Sequence, residues 1–170
     1  MQRVAIIGCG GSGKTTIGRR VAATIGTDVI HLDALYYDSE WNTLPAERFA
    51  AIQEELTAAD TWVIDGNYAS TLPIRLRRAT HVIFLDLPAV SCLRGIAQRR
   101  RRYRGGQHHD GVYDRINWQF ITYIWTYRRR MAPRIRTLLA EHAGHAAVHI
   151  VRSRREANKL AAELERSTGG

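Results

Sequence analysis

The sequence predicts an α/β fold in which a five-stranded parallel sheet is flanked by helices. Five short apolar runs rich in Val and Ile are spaced along the chain, and segments with helical periodicity lie between them. Such runs are typical of strands buried on both faces, and their alternation with helices indicates crossover connections. With 170 residues, 45% of them hydrophobic, the chain is expected to form a single domain over residues 1–170.

The elements follow from the periodicity and from local start signals. The expected strands are residues 4–8, 28–33, 61–65, 81–86 and 146–151. The expected helices are residues 14–25, 45–59, 72–78, 89–103, 115–130, 132–142 and 154–166. Pro45 suits the first turn of its helix, where a missing N–H costs nothing. Ser153 and Glu156 have the spacing of a capping box, which predicts where the last helix starts.

The first strand leads into Gly8-Cys9-Gly10-Gly11-Ser12-Gly13-Lys14-Thr15, which matches the phosphate-binding loop (P-loop) pattern G-x-x-x-x-G-K-[ST]. Glycines let consecutive N–H groups point at phosphate oxygens, and the N-terminus of the following helix favours anions. We expect Lys14 to reach the β- and γ-phosphates and Thr15 to place its hydroxyl on Mg²⁺. The residues expected to bind the nucleotide phosphates are Gly8, Gly10, Gly11, Ser12, Gly13, Lys14, Thr15 and Thr16.

The remaining motifs favour a small-molecule kinase that uses ATP over a GTPase. The segment 158–161 reads NKLA and lacks the aspartate of the guanine-binding N-K-x-D motif. The segment 65–68 reads DGNY, with its glycine in the wrong place for a D-x-x-G switch. A cytoplasmic protein is expected, because no export signal or long apolar run is present and only two cysteines, Cys9 and Cys92, occur. Cys9 is interpreted as a small filler of the loop.

The positive charge is concentrated in one third of the chain. Residues 87–136 contain 12 arginines and two aspartates, whereas the whole chain has a formal net charge of +9. One interpretation is a lid whose arginines close over the transferred phosphoryl group, because a guanidinium binds phosphate with two parallel hydrogen bonds. In that lid Arg99 and Arg102 share a helix face, and Arg104 is an alternative contact. The other interpretation is a surface for nucleic acid, since Tyr and Trp residues are interleaved with the arginines.

Several segments together resemble a known family. GCGGSGKTT, IDGNY, VIFLDLP and QRRRRYRGG resemble elements of the adenylate kinase-like family. With VIHLDALYY and WQFITYIWTYRRR, they resemble more closely the bacterial adenylate kinase-related proteins often called topology modulation proteins, over roughly residues 4–155. The resemblance implies a P-loop NTPase three-layer fold with a five-stranded parallel core and a short arginine-rich helical lid over residues 99–114. Adenylate kinases carry D-G-F-P-R after the third strand, but no arginine follows Asp65 and Gly66 at that position here.

Three further positions are candidate site residues. Asp65 ends a buried strand beside the P-loop and is expected to hold Mg²⁺ through water, the alternative being a turn cap. Asp33 ends the second apolar run, where it either accepts a proton from an acceptor hydroxyl, binds a polar group of the substrate or acts as a structural cap. In the resembling family the adenine lies near the loop after the last strand, which implies Arg152 as a neighbour. The sequence specifies neither the acceptor nor the oligomeric state.

Overall fold

The computed structural model describes residues 1–37, 42–103 and 118–168, and these ranges contain the five expected strands but only the first part of the expected lid. The strands are β1 (Arg3–Gly8), β2 (Val29–His31), β3 (Trp62–Asp65), β4 (His81–Leu85) and β5 (Ala147–Val151). The helices are α1 (Lys14–Ile25), α2 (Leu32–Tyr36), α3 (Ala46–Ala58), α4 (Leu72–Leu76), α5 (Ala89–Tyr103), α6 (Trp118–His142) and α7 (Arg154–Thr168).

The strands form one parallel sheet in the order β2-β3-β1-β4-β5, so the predicted fold class is confirmed. β1 lies at the centre, paired with β3 on one side and β4 on the other. The three central strands are buried over almost their whole length, whereas the edge strand β5 is half exposed. All five strands end at the same side of the sheet, and this side therefore collects the residues that follow β1, β2 and β3.

The chain leaves β2 earlier than the sequence predicts. A strand was expected over residues 28–33, but β2 ends at His31 and the short helix α2 follows at once. Leu32 is fully buried and packs directly against Gly66, where even a Cβ would come within 2.8 Å of it. This packing turns the chain out of the sheet, so Asp33 lies in the first turn of α2 and not at a strand end.

The two helices expected over residues 115–130 and 132–142 are one continuous helix, α6, that includes Pro133. A proline inside a helix costs about 3 kcal/mol. Burying a large apolar side chain contributes about 1.5–3 kcal/mol, and the buried face of α6 runs past the proline with Ile124, Tyr127, Ala132, Ile135 and Leu139. Packing therefore outweighs the break. Neither α6 nor any other helix in the described ranges is both long enough and apolar enough to cross a membrane.

The start of α7 has the geometry that the capping box predicts. The Glu156 backbone N–H donates to Ser153 Oγ at 3.2 Å, and the Ser153 hydroxyl donates to Glu156 Oε1 at 3.0 Å. The Glu156 carboxylate also accepts from the Arg152 backbone N–H at 2.9 Å. These contacts satisfy N–H groups that the first turn of a helix leaves unpaired. They fix the path of the chain between β5 and α7, which lies on the same side of the sheet as the P-loop.

Candidate active site

The P-loop connects the end of β1 to the N-terminus of α1. Gly11 and Gly13 have φ angles of 73° and 99°, in the left-handed region that glycine tolerates best. A Cβ on Gly11 would also come within 2.2 Å of the Cys92 carbonyl oxygen, so the loop lies directly on α5. Because Gly13 is the N-cap residue of α1, no N-cap side chain occupies the helix N-terminus. The backbone N–H groups of its first turn are thus available to an anion.

Lys14 and Asp65 face each other at the mouth of this loop. Lys14 Nζ donates to the Cys9 carbonyl oxygen at 3.3 Å and lies 3.9 Å from Asp65 Oδ1. The second Asp65 oxygen lies 3.2 Å from His31 Nδ1. His31 and Asp65 are the last paired residues in the β2–β3 register. Asp65 is only 6% exposed. His31 therefore holds one oxygen of the Asp65 carboxylate from the β2 side, and the other oxygen faces Lys14.

Two buried oxygen atoms beside the P-loop have no hydrogen-bond partner in the structure, Ser12 Oγ and Asp65 Oδ1. A buried polar atom without a hydrogen bond costs about 1–3 kcal/mol, and an ion, water or ligand bound beside the P-loop would satisfy both oxygens. The Thr15 hydroxyl and the Asp65 carboxylate are oxygen ligands of the kind that Mg²⁺ prefers. The described residues contain no cluster of three or more His, Cys, Asp or Glu side chains that would hold a metal by themselves. This set of groups fits Mg²⁺ held jointly by protein, water and phosphate oxygens.

Asn67 connects the P-loop to α6. Its side-chain oxygen accepts hydrogen bonds from the Gly8 backbone N–H and the Tyr127 hydroxyl, each at 3.0 Å. Its amide nitrogen donates to the Tyr123 hydroxyl at 3.1 Å. Burial raises the pKa of both tyrosines, which keeps their hydroxyls protonated at neutral pH. Asn67 therefore fixes the start of the P-loop against the helix that follows the lid segment.

Asp33 meets the segment after β3 through a short hydrogen bond. The Tyr68 hydroxyl donates to Asp33 Oδ1 at 2.6 Å, and burial together with this carboxylate raises the pKa of Tyr68. Asp33 itself is exposed, although its partner is half-buried. Tyr68 packs on Tyr36 and Phe49, with ring centroids 4.8 Å apart in both pairs. Asp33 thus lies at the open side of an aromatic cluster, one strand away from Asp65.

Only part of the predicted lid falls within the described residues. Arg99 lies half-buried on α5, and Arg102 lies in the last turn of the same helix. Arg104 and the rest of the expected lid to residue 114 lie outside the described residues. Arg152 is exposed, and its backbone belongs to the α7 cap. The roles expected for these four arginines therefore stay predictions.

Several arginines have structural partners that the sequence pattern does not reveal. Arg75 is completely buried and donates to the Gly66 carbonyl oxygen at 2.8 Å and to those of Asn67 and Tyr68 at 3.4 Å. Burial lowers its pKa to about 10, so it stays protonated at neutral pH. Arg128 donates to Asp86 Oδ1 at 3.1 Å, and Arg136 donates to the other oxygen of that buried carboxylate.

Arg154 is a P-loop contact that sequence reasoning missed. One of its terminal nitrogens donates to the Gly11 carbonyl oxygen at 3.1 Å and to the Ser91 carbonyl oxygen at 3.2 Å. The residue reaches the loop from the first turn of α7, two residues beyond the predicted Arg152. It therefore connects three elements, the P-loop, α5 and α7, at one edge of the site.

Cys9 and Cys92 are neighbours in the fold although they are distant in sequence. Both thiols are free and buried, and the hydrogen bond with Cys92 together with burial raises the pKa of Cys9. A protonated buried thiol is a poor nucleophile. This geometry agrees with the interpretation of Cys9 as a small side chain that fills the loop.

Comparison with solved structures finds P-loop kinases. The shikimate kinase of Acinetobacter baumannii, solved with shikimate, superposes with a TM-score of 0.59 and 18% identity over 98% of this chain and 92% of that one. The shikimate kinase of Bacteroides thetaiotaomicron superposes with a TM-score of 0.53 and 16% sequence identity over 99% of both chains. A sugar kinase from a Janibacter species superposes with a TM-score of 0.52 and 15% sequence identity, over 98% of this chain and 91% of that one.

The comparisons by sequence are negative, since no protein-family profile and no curated protein matches the chain. The resemblance to the topology modulation proteins therefore stays a prediction. At 15–18% identity the structural likeness establishes the fold alone. The chain has the α/β fold of the P-loop kinases, with its P-loop, Asp65 and Asp33 along one side of the sheet.

Proposed function

We propose that the protein is a phosphotransferase that moves the γ-phosphoryl group of Mg·ATP to a small acceptor. The observation that carries this proposal is the ion pair of Lys14 and Asp65 at the P-loop, 3.9 Å apart, in which the carboxylate oxygen that faces Lys14 accepts no hydrogen bond from the described residues. A cation for the phosphates and a carboxylate for the metal are the two groups that phosphoryl transfer needs at this point. The kinase names of the structural neighbours support the same reaction class.

The residues around the loop have distinct roles in this proposal. The Gly8 and Ser12 N–H groups donate to Asn67 Oδ1 and to the Cys9 carbonyl oxygen, so the phosphates are bound by the other backbone N–H groups of the loop up to Thr16. Lys14 stabilises negative charge on the β- and γ-oxygens. Thr15 and, through water, Asp65 hold Mg²⁺. When bound, the metal neutralises phosphate charge. His31 keeps the Asp65 carboxylate in place through its hydrogen bond.

The transfer step places the acceptor near Asp33. The acceptor oxygen forms a bond to the γ-phosphorus, and the bond from that phosphorus to the β–γ bridging oxygen breaks. ADP departs with the electron pair of that bond, and the hydroxyl proton passes to Asp33. Arg99, Arg102 and Arg104 stabilise the charge on the transferred group, and Arg152 lies beside the adenine. Electrostatic stabilisation of this kind is the largest contribution that a protein makes to phosphoryl transfer.

A second candidate function is ATP-linked binding of nucleic acid. Trp118 and Trp125 are 80% and 62% exposed, and they are seven residues apart on α6, which places them on the same face. Exposed arginines follow at Arg128, Arg129 and Arg130, and no acidic residue occurs between residues 115 and 140. Exposed aromatic rings beside arginines suit single-stranded nucleic acid, which stacks on the rings while its phosphates meet the cations.

The two functions are distinguished by ADP formation from Mg·ATP in the presence of nucleotides, nucleosides, sugars and nucleic acids. We expect one small acceptor to raise the rate well above the acceptor-free rate. Lys14→Ala and Asp33→Asn remove that stimulation, whereas the exposed control Asp28→Asn keeps it. Stimulation by DNA or RNA alone, with a steep decrease between roughly 50 and 200 mM salt, would instead support the nucleic-acid function.

A further inference from the structure

We infer that the acceptor is a small hydroxyl compound that carries no phosphate group of its own. This inference rests on the proposed function and specifies the substrate class of the same site. It follows from the charges around Asp33, from the partners of the nearby arginines and from the aromatic side chains that adjoin this position.

The acceptor end of the site is negative in the described part of the chain. Asp33 lies in the first turn after β2, and no basic side chain in the described ranges forms an ion pair with it. Asp65 ends the adjacent strand β3, where Lys14 and His31 contact it. Tyr68 supplies a neutral donor to Asp33 Oδ1. A second phosphate dianion at this position would be repelled by Asp33 instead of being paired with a cation. An uncharged hydroxyl, in contrast, donates to the second oxygen of the carboxylate.

Two of the three arginines that follow Asp65, Arg75 and Arg78, already donate to backbone carbonyl oxygens. Arg75 is the first arginine after Asp65, and its guanidinium donates to the carbonyl oxygens of Gly66, Asn67 and Tyr68. Its side chain is completely buried, with 0% exposed, and its hydrogen bonds hold the backbone of residues 66–68. Arg78 donates to the Thr57 carbonyl oxygen at the other end of α4. Neither side chain presents a guanidinium fork to a ligand beside Asp33.

An aromatic cluster adjoins Asp33 through the Tyr68 hydroxyl. Tyr36 lies 4.9 Å from Tyr37, and both Phe49 and Tyr68 lie 4.8 Å from Tyr36, measured between ring centroids. Phe49 is buried, whereas Tyr37 is 37% exposed at the edge of the cluster. Ring faces beside a carboxylate suit a compound with C–H faces and hydroxyl groups.

The experiment measures phosphoryl transfer to matched pairs that differ only by a phosphate: adenosine and AMP, glucose and glucose 6-phosphate, glycerol and glycerol 3-phosphate. We expect an unphosphorylated member to be the better acceptor by at least about tenfold, because its phosphorylated partner meets Asp33 without a compensating cation. Preference for the phosphorylated member of a pair would overturn the inference.

A binding probe gives an answer even where no member of the panel is turned over. Two adenosines joined by five phosphates span the ATP and acceptor sites of a nucleotide kinase, and linking two bound ligands raises affinity about 10²–10⁴-fold. We expect this probe to bind within about tenfold of ATP, and binding at least 100-fold tighter would overturn the inference. If ATP does not bind, or if it binds Lys14→Ala as tightly as it binds the wild type, the result contradicts the proposed function, whereas it does not contradict the inference about the acceptor.

Tyr68→Phe tests the acceptor geometry separately from the nucleotide. This variant removes the hydroxyl that donates to Asp33 and keeps the ring packing. We expect it to raise the KM of the acceptor about tenfold while the KM of ATP stays unchanged. Ser167→Ala, which removes an exposed hydroxyl on α7, is the control and keeps both KM values. An equal change in both KM values for Tyr68→Phe would contradict the position given to the acceptor.

Discussion

The Asp65 carboxylate lies 3.9 Å from the ammonium group of Lys14, too far for a direct hydrogen bond and close enough for a strong electrostatic interaction. The two residues come from adjacent strands, because Lys14 follows β1 and Asp65 ends β3. The other carboxylate oxygen is held by His31, while the oxygen that faces Lys14 has no hydrogen-bond partner in the structure. Pairing of the strands therefore brings together the P-loop lysine and a carboxylate oxygen that accepts no hydrogen bond from the described residues.

Asp65→Asn is expected to reduce ATP-dependent turnover by about 10–100-fold, because in the proposed function it removes the negative charge that holds the metal through water. The KM for Mg²⁺ is expected to rise in parallel. Steady-state kinetics at several magnesium concentrations measure both effects. Asp60→Asn, at an exposed position between α3 and β3, is the matched control and keeps wild-type kinetics. Unchanged magnesium dependence in Asp65→Asn would exclude this role.

Asn67→Ala is expected to destabilise the protein and weaken nucleotide binding together. It leaves the Gly8 N–H and the Tyr127 and Tyr123 hydroxyls without their common partner. An unpaired buried polar group costs about 1–3 kcal/mol, which urea unfolding detects. Asn158→Ala, on the exposed face of α7, is expected to be neutral or slightly stabilising. Wild-type ATP affinity in Asn67→Ala would show that this contact does not position the loop.

Arg75→Met is expected to lower the free energy of unfolding by about 1–3 kcal/mol. The variant keeps an apolar side chain of similar length but leaves the carbonyl oxygens of the segment after β3 without their donor. Arg77→Met, on the exposed side next to the same helix, serves as its comparison and is expected to change stability by less than about 0.5 kcal/mol. The structural role assigned to Arg75 is incorrect if the two variants unfold at the same urea concentration.

Acidification is expected to destabilise the sheet through His81 and His149. Their rings stack at 6.0 Å, and burial lowers the pKa of both below the ordinary value. Below about pH 6.5 the unfolded chain therefore binds protons that the folded chain still excludes, and stability falls with pH until the folded pKa values are passed.

Thermal unfolding at several pH values tests this linkage. The double variant His81→Gln/His149→Gln is expected to lose less stability than the wild type between about pH 7.5 and 5.5. It lacks the two histidines, each of which binds up to one more proton in the unfolded chain than in the folded chain. His145→Gln, at an exposed position, is expected to follow the wild-type curve. Parallel curves for the wild type and the double variant would contradict the prediction.

The parts of the fold that the sequence predicts are those with a local signal. The P-loop, β1 and α1 follow from glycine spacing and periodicity within one short segment, and the α7 cap follows from a four-residue pattern. The same local signals were misleading at Pro133, where tertiary packing continues the helix. They also extended β2 by two residues, because an apolar run does not reveal the packing of Leu32 on Gly66.

The site residues that the sequence does not predict depend on distant partners. His31 contacts Asp65 across 34 residues, Asn67 contacts Gly8 across 59, and Arg154 contacts Gly11 across 143. No periodicity or motif connects positions so far apart in a single sequence. His31 and Asn67 nevertheless carry a weak signal, since each lies at the end of a predicted strand on the side where ligands bind.

Transfer of the label from ATP labelled at the γ-phosphorus tests the central claim most directly. The wild type, Lys14→Ala and Asp33→Asn are incubated with the labelled nucleotide, Mg²⁺ and the matched acceptor pairs. The proposed function predicts label in an acceptor with the wild type and its loss by at least about 100-fold in both variants. Label that is released only as inorganic phosphate, or transfer that survives Lys14→Ala, would contradict phosphoryl transfer at this P-loop.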